Sequence, residues 1–277
     1  MLVVRTRAEL RAVLAAAPRP VGLVTTMGWL HAGHVSLVRQ AREHGRTVVV
    51  TIFVNPRQFG DAADFERYPR NEALDLAACE AAGVDVVFVP PVDEVYLPGN
   101  DTRVTVGAIA RPLEGAARPG HFDGVATVVA ILFNLVGAER AYFGMKDYQQ
   151  VAVIRRMALD LALPTKVVAC PTVREADGLA MSSRNARLSP SGRMAAAVLH
   201  RALAAGVAAI AGGEHDADAV RARMRAQLAT EPAADPDYVS VADPESLAEL
   251  ATIGGRALLS LAVVVEDVRL IDNELAG

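Results

Sequence analysis

Two histidines, His31 and His34, flank Gly33 in the stretch Thr25-Thr26-Met27-Gly28-Trp29-Leu30-His31-Ala32-Gly33-His34. The apolar run 21–24 ahead of it reads as a buried strand, and 35–41 behind it reads as a helix. The pair therefore sits where a strand hands over to a helix. Such a corner offers bare backbone N–H groups and about half a positive charge to an anion. Glycine lets a ligand approach the backbone, and imidazole donates to phosphate oxygens. The pattern predicts nucleotide chemistry. A cap or a surface position is the plain alternative for either histidine. Zinc is the other, but it needs further ligands, and no local cysteine or carboxylate cluster supplies them.

Further polar stretches follow other strand-like runs. Asn55 and Gln58, in Phe53-Val54-Asn55-Pro56-Arg57-Gln58-Phe59-Gly60, carry amides with donor and acceptor faces, suited to a small substrate with hydroxyls and a carboxylate; read singly, the segment is an Asn-Pro turn. In the segment Tyr142–Gln150, Gly144 permits close approach, Lys146 offers a point charge to phosphate, Asp147 can accept from ribose hydroxyls, and Gln150 falls on the next helix. The segment Val173–Asn185 is polar and turn-rich, and Ser182-Ser183-Arg184 sets two hydroxyls beside a guanidinium, good company for a triphosphate. It reads as a helix-cap loop or a mobile lid. The segment Glu114–Gly124, with Arg118 and His121, reads singly as a surface loop. Neither a Gly-x-Ser-x-Gly elbow nor a Gly-x-x-x-x-Gly-Lys-Ser/Thr loop occurs in the chain.

Positioning these groups requires alternating strands and helices. Strands are predicted at 21–26, 48–54, 84–89, 140–144 and 166–170, with helices at about 34–43, 71–82, 124–136 and 148–161. The runs are short and apolar on both faces, as in a parallel sheet. The expected fold class is α/β, a Rossmann-like doubly wound parallel sheet with a second, smaller α+β C-terminal domain. Ligands in such sheets sit at the carboxyl ends of the strands. The boundary is set near 172/173, giving domains 1–172 and 173–277. The second is predicted to hold helices at about 191–211 and 216–229, then strands at 238–242, 257–265 and 268–271, the last two as a hairpin.

Composition narrows the partners. The chain has 277 residues, is 52% hydrophobic and carries a formal net charge of −4, which argues for a sizeable core and against a broad basic nucleic-acid surface. From His200 to Gly277 there are six arginines, no lysine and thirteen acidic residues, a poor RNA-binding surface. Two cysteines form no disulfide framework and fit a reducing, cytoplasmic setting. The first residues do not read as a signal peptide. No uninterrupted apolar run reaches the roughly 20 residues of a membrane span; 195–211 comes nearest, broken by His200 and Arg201.

Six stretches together, TTMGWLHAGH, FVNPRQFG, YPR, EGAARPGHFDGV, YFGMKDYQQ and PTVREADGLAMSSRN, closely resemble the pantothenate synthetase (pantoate–β-alanine ligase) family, in family order and across essentially the whole chain. That family belongs with the class-I aminoacyl-tRNA synthetase-like nucleotidyl transferases. The resemblance implies a cytoplasmic homodimer that joins pantoate to β-alanine using ATP with Mg²⁺, through a pantoyl adenylate, releasing AMP and pyrophosphate, with neither nucleic acid nor membrane as partner. It implies that His31, His34, Lys146, Ser182, Ser183 and Arg184 are catalytic. ATP would also meet Met27, Gly144, Asp147, Val173 and Met181. Pantoate would meet Met27, Asn55, Gln58, Gln150 and His121. Arg118 and His121 would lie on a closing loop, with Asp75 a subsidiary candidate for a magnesium contact. Trp29 and Ala32 depart from the Ala and Glu of the family pattern, and Met145 from its Glu. The alternatives are a related nucleotidyltransferase with another acceptor, which leaves FVNPRQFG unexplained, and a non-catalytic ATP-binding relic, against which the intact histidines, Lys146 and Arg184 argue.

Overall fold

The computed structural model of the chain describes residues 1–60 and 62–277. Two compact units emerge: Met1–Gly144 with Gln149–Pro171, and Met145–Tyr148 with Thr172–Gly277.

The first unit is built on six strands, β1 (Leu2–Val4), β2 (Val21–Thr26), β3 (Thr47–Ile52), β4 (Val86–Phe88), β5 (Arg140–Gly144) and β6 (Lys166–Cys170). They lie in the order β1-β4-β3-β2-β5-β6, every pair parallel. Its helices are α1 (Arg7–Ala15), α2 (Ala32–His44), α3 (Ala62–Arg67), α4 (Glu72–Ala81), α5 (Val92–Val95), α6 (Glu114–Ala117), α7 (His121–Val136) and α8 (Tyr148–Asp160), the last starting at Tyr148 of the other unit. Leu23, Val49, Phe133 and Ile154 belong to one apolar cluster, and Val24, Val50, Val38 and Cys79 to another. Alternate β2 and β3 residues thus feed opposite faces, which is why the strands read as continuous apolar runs. The chain leaves β2 for β3 on one side and returns to β5 on the other, so the carboxyl ends of β2 and β5 flank the point where strand order reverses. Met27–His34 follows β2 directly, and Gly144 closes β5.

The second unit contains α9 (Pro190–Ala195), α10 (Val198–Ala211) and α11 (Ala217–Leu228) with β7 (Ala234–Ala242), β8 (Ala257–Val265) and β9 (Val268–Ala276). The strands form an antiparallel sheet in that order, with Val265 opposite Val268 across the turn. Leu199, Leu203, Met224, Leu259 and Leu261 fill its core.

The fold class is as expected, and the differences are local. β1 and α1 lie outside the predicted elements. The single helix at 191–211 is two helices, because the backbone turns at residues 196–197 between α9 and α10. Pro190–Ala211 is nonetheless long and apolar enough on average, by length and composition only, to cross a membrane, although His200 and Arg201 interrupt its apolar run. Leu199, Ala202 and Leu203 are buried in the core cluster of the second unit, the ordinary use of such a helix. The surface loop expected at 114–124 is instead a turn of helix with Glu114 buried, and His121 opens α7 rather than lying on a loop.

Candidate functional site

The corner after β2 is made by an uncommon backbone. Gly28 (φ 84°) and Trp29 (φ 52°) are both left-handed, a conformation costing a non-glycine residue roughly 1–2 kcal/mol. Asp75 on α4 holds it there. One carboxylate oxygen accepts from the Trp29 N–H at 2.9 Å and the other from the Leu30 N–H at 2.7 Å. A Cβ at residue 28 would sit 2.9 Å from Asp75 Oδ2, so glycine is required. Asp75 is 3% exposed. Both Asp75 oxygens thus accept from backbone N–H groups, away from solvent. Among the described residues no cluster of three or more His, Cys, Asp or Glu could hold a metal ion.

At the start of α2 the histidines cap the helix reciprocally. His31 is the N-cap, and its Nδ1 accepts from the Gly33 N–H at 3.1 Å. His34 Nδ1 accepts from the His31 N–H at 3.3 Å. The rings lie 4.1 Å apart between centroids. An Nδ1 that accepts carries no proton, so in each neutral ring the proton is on Nε2. Capping uses only Nδ1 of each ring, so capping and phosphate recognition through Nε2–H are compatible roles for this pair.

In the same unit, Met27, Asn55, Gln58, Arg118 and His121 come together. Asn55 is 1% exposed. Its Nδ2 donates to the Gly124 carbonyl at 3.1 Å and to Gln58 Oε1 at 3.0 Å. Its Oδ1 accepts from the Tyr96 hydroxyl at 2.8 Å and the Arg57 N–H at 3.2 Å. Both ends of the Asn55 amide are engaged by these protein partners, and one of them is the Gln58 side chain, which Asn55 orients. A carbonyl can only accept and an N–H can only donate, so these partners fix the Asn55 amide. That in turn holds Gln58 Oε1 inward and aims Nε2 at Met27 Sδ, 3.0 Å away. Thioether sulfur is a weak acceptor, which a ligand oxygen readily outcompetes. Arg118 and His121 both meet the Gln58 carbonyl, at 3.1 and 2.8 Å, so they brace the Gln58 backbone. Tyr96, which sequence reasoning missed, completes the set; burial pushes its phenol up to about 12, and it stays a neutral donor. Gly144 closes β5 with open space where a Cβ would be. Gln150 is half-buried near the start of α8, while its neighbour Gln149 ties down the segment before α6 through the Pro112 carbonyl at 2.7 Å.

The remaining candidates lie in the second unit. Met145–Asp147 is a single 3₁₀ turn, with Lys146 Nζ 3.6 Å from Asp147. Residues 173–181 form a narrow hairpin: the Met181 N–H donates to the Val173 carbonyl at 2.9 Å, and Arg174 bridges Ala180. This brings Val173 and Met181 side by side. Directly after it, Ser182 caps the 3₁₀ helix Ser183–Arg187 by accepting from the Arg184 N–H at 3.2 Å. Ser183 is buried and Arg184 half-buried.

Comparison with known proteins agrees in sequence and in shape. The family model described as pantoate-beta-alanine ligase matches residues 2–275. A pantothenate synthetase of Roseiflexus castenholzii is 59% identical over 273 residues, covering 99% of this chain and 98% of the relative. A crystal structure of pantothenate synthetase from Thermus thermophilus superposes with a TM-score of 0.95 at 48% identity, covering 99% of both chains. A pantoate-beta-alanine ligase from Francisella tularensis, crystallised with beta-gamma ATP and beta-alanine, superposes with a TM-score of 0.81 at 31% identity, over 99% of this chain and 97% of that one.

Proposed function

The chain belongs to the pantoate–β-alanine ligase family, and from that premise we propose the steps and residue roles by which it makes pantothenate. A pantoate carboxylate oxygen attacks the α-phosphorus of Mg-ATP. The bond to the β-phosphate breaks, pyrophosphate leaves, and pantoyl adenylate remains. The β-alanine amine then attacks the acyl carbon, loses a proton, and expels AMP. No covalent bond to the protein forms, so the chain acts by positioning and by stabilising charge.

In this reading His31 and His34 donate through Nε2–H to phosphate oxygens. Lys146, Ser182, Ser183 and Arg184 offset the negative charge building on the phosphates. Gly144, Asp147, Val173 and Met181 take the adenosine. Gln58 and Gln150 hold pantoate oxygens beside Met27, with Gln58 oriented by Asn55. Magnesium enters with ATP as part of the substrate, consistent with an ion that keeps its waters and leans on phosphates. The observation that carries the reading is the reciprocal histidine cap, which sets both imidazoles at the N-terminus of the helix that follows β2. The Francisella ligase, crystallised with beta-gamma ATP and beta-alanine, supports the substrate assignment. The same reading makes the chain a homodimer working in the cytoplasm, where its two buried free thiols, Cys79 and Cys170, stay reduced.

The test is AMP formation from Mg-ATP, followed by mass spectrometry, with pantoate and β-alanine supplied singly and together. AMP and pantothenate in equal amounts only with both substrates is the expected result. AMP released regardless of either substrate, or no AMP with both, overturns it.

A further inference from the structure

Lys146 rides on a turn of three residues, too short to hold its own position firmly. Its anchor is on β9. Asn273, 8% exposed, donates both Nδ2 protons to that turn, to the Met145 carbonyl at 3.0 Å and the Lys146 carbonyl at 2.7 Å. The preceding residue, Asp272, grips Arg174 with both oxygens, at 2.6 and 3.1 Å. Arg174 also donates to the Gly178 carbonyl at 3.1 Å, across its own hairpin, and to Glu274 at 3.0 Å. Asp272 Oδ1 further accepts from the Asn273 N–H at 2.8 Å, linking the two heads. Consecutive strand side chains point to opposite faces, which is how one dipeptide reaches two separate segments.

We propose that Asp272-Asn273 is a positioning clamp for the phosphate-handling groups of the second unit. Asn273 fixes the backbone that carries Lys146. Asp272, through Arg174, fixes the hairpin that runs into Ser182-Ser183-Arg184. Neither residue touches substrate; each acts through another. The assignment of those groups to phosphate rests on the ligase reading above, but the clamp itself rests on the hydrogen bonds.

The test uses Asn273→Ala in the full chain. Removing both donors frees the turn, and misplacement of a group by about 1 Å costs roughly 10²-fold in rate. Pantoate-dependent exchange of pyrophosphate into ATP, the first half-reaction, falls by about that factor. Conversion of supplied pantoyl adenylate with β-alanine, after pyrophosphate has left, falls by no more than about tenfold, the share of Asp147 on the same turn. In a Lys146→Ala background, Asn273→Ala likewise costs no more than about tenfold, because coupled residues are non-additive. Should Asn273→Ala fail to fold, Asn273→Asp, which keeps the shape and turns the donor into an acceptor, is measured in its place. Equal slowing of both half-reactions, additive losses with Lys146→Ala, or an unchanged exchange rate would each overturn the clamp. Amide hydrogen exchange over residues 145–148 separates the clamp from the ligase reading. If wild type shows no pantoate-dependent exchange, the ligase reading fails, while faster amide exchange in the variant upholds the clamp and unchanged amide exchange overturns it.

Discussion

A histidine that caps its own helix through Nδ1 has no freedom left in its tautomer. For His31 this separates two roles that usually blur together. Asparagine caps a helix as well as any residue but lacks a donor at the imidazole Nε2 position. His31→Asn is expected to melt within a few degrees of wild type while adenylate formation drops by the ~2.7–4 kcal/mol typical of one lost preorganised donor. Wild-type pyrophosphate exchange in a folded variant would remove His31 from the phosphate. Asp75 makes the opposite case, a carboxylate whose work is backbone geometry. Asp75→Ala leaves two N–H groups unpaired beside a left-handed Trp29. It should lower unfolding free energy by about 3 kcal/mol, given 1.5–3 for a hydrogen bond to a charged group. The magnesium concentration giving half-maximal activity should not move in the residual activity. A shift in that midpoint without loss of stability would assign Asp75 to the metal.

At the scale of elements, two glycines near the proposed ligands differ sharply. A Cβ on Gly124, in the first turn of α7, would run into the Arg57 carbonyl, whereas one on Gly144, ending β5, would meet nothing within 4 Å. Gly124→Ala should destabilise the first unit by roughly 1–3 kcal/mol, the usual penalty of overpacking, seen in urea unfolding. Gly144→Ala should leave urea unfolding unchanged and raise the KM for ATP by ~10-fold, about 1.4 kcal/mol of lost contact. An unchanged KM would take adenosine away from that backbone. The 173–181 hairpin carries a pH signature. Arg193 hydrogen-bonds Asp177 at 2.6 Å and holds its carboxyl below the usual value. A depressed folded pKa contributes stability above the unfolded value of about 3.9, and that contribution fades as pH falls through the folded value. Asp177→Asn should therefore narrow the stability gap between pH 6 and pH 3, as read from urea midpoints. A gap as wide as that of wild type would show the pair to be inert.

For the whole molecule, the prediction that tests assembly is a dimer mass by light scattering at micromolar concentration, with a monomer there refuting it. The two units also divide the proposed chemistry. The reciprocal histidine cap and the Asn55–Gln58 amides belong to the first unit, and Lys146 with Ser182-Ser183-Arg184 to the second. Each set is braced within its own unit, by Asp75 and Tyr96 in one and by Asp272-Asn273 in the other.

Much of this was legible along the chain. Apolar runs such as 47–52 and 140–144 specify strands buried on both faces, and their alternation with helices specifies a parallel sheet. The spacing of His31 and His34 after a strand predicts an anion site without any tertiary information, and it places both at the start of α2. The Thr6–Glu9 capping box that starts α1 was equally visible as a Thr-x-x-Glu pattern, though reading by apolar periodicity passes over it. The destination of each polar side chain was another matter. Asn55, Asp75 and Asn273 are all plausible ligand contacts as residue types. Their actual partners are Tyr96, the backbone of Trp29 and Leu30, and the backbone of Met145 and Lys146, which lie 41, 45–46 and 127–128 residues away in sequence. A buried polar group takes whichever partner the fold brings within 3 Å, and local pattern carries no record of that. The sequence by itself determined which chemistry was present and at which strand ends. Tertiary structure alone decided which polar groups the protein itself engages and which segments they hold in place, because those partners are distant in sequence.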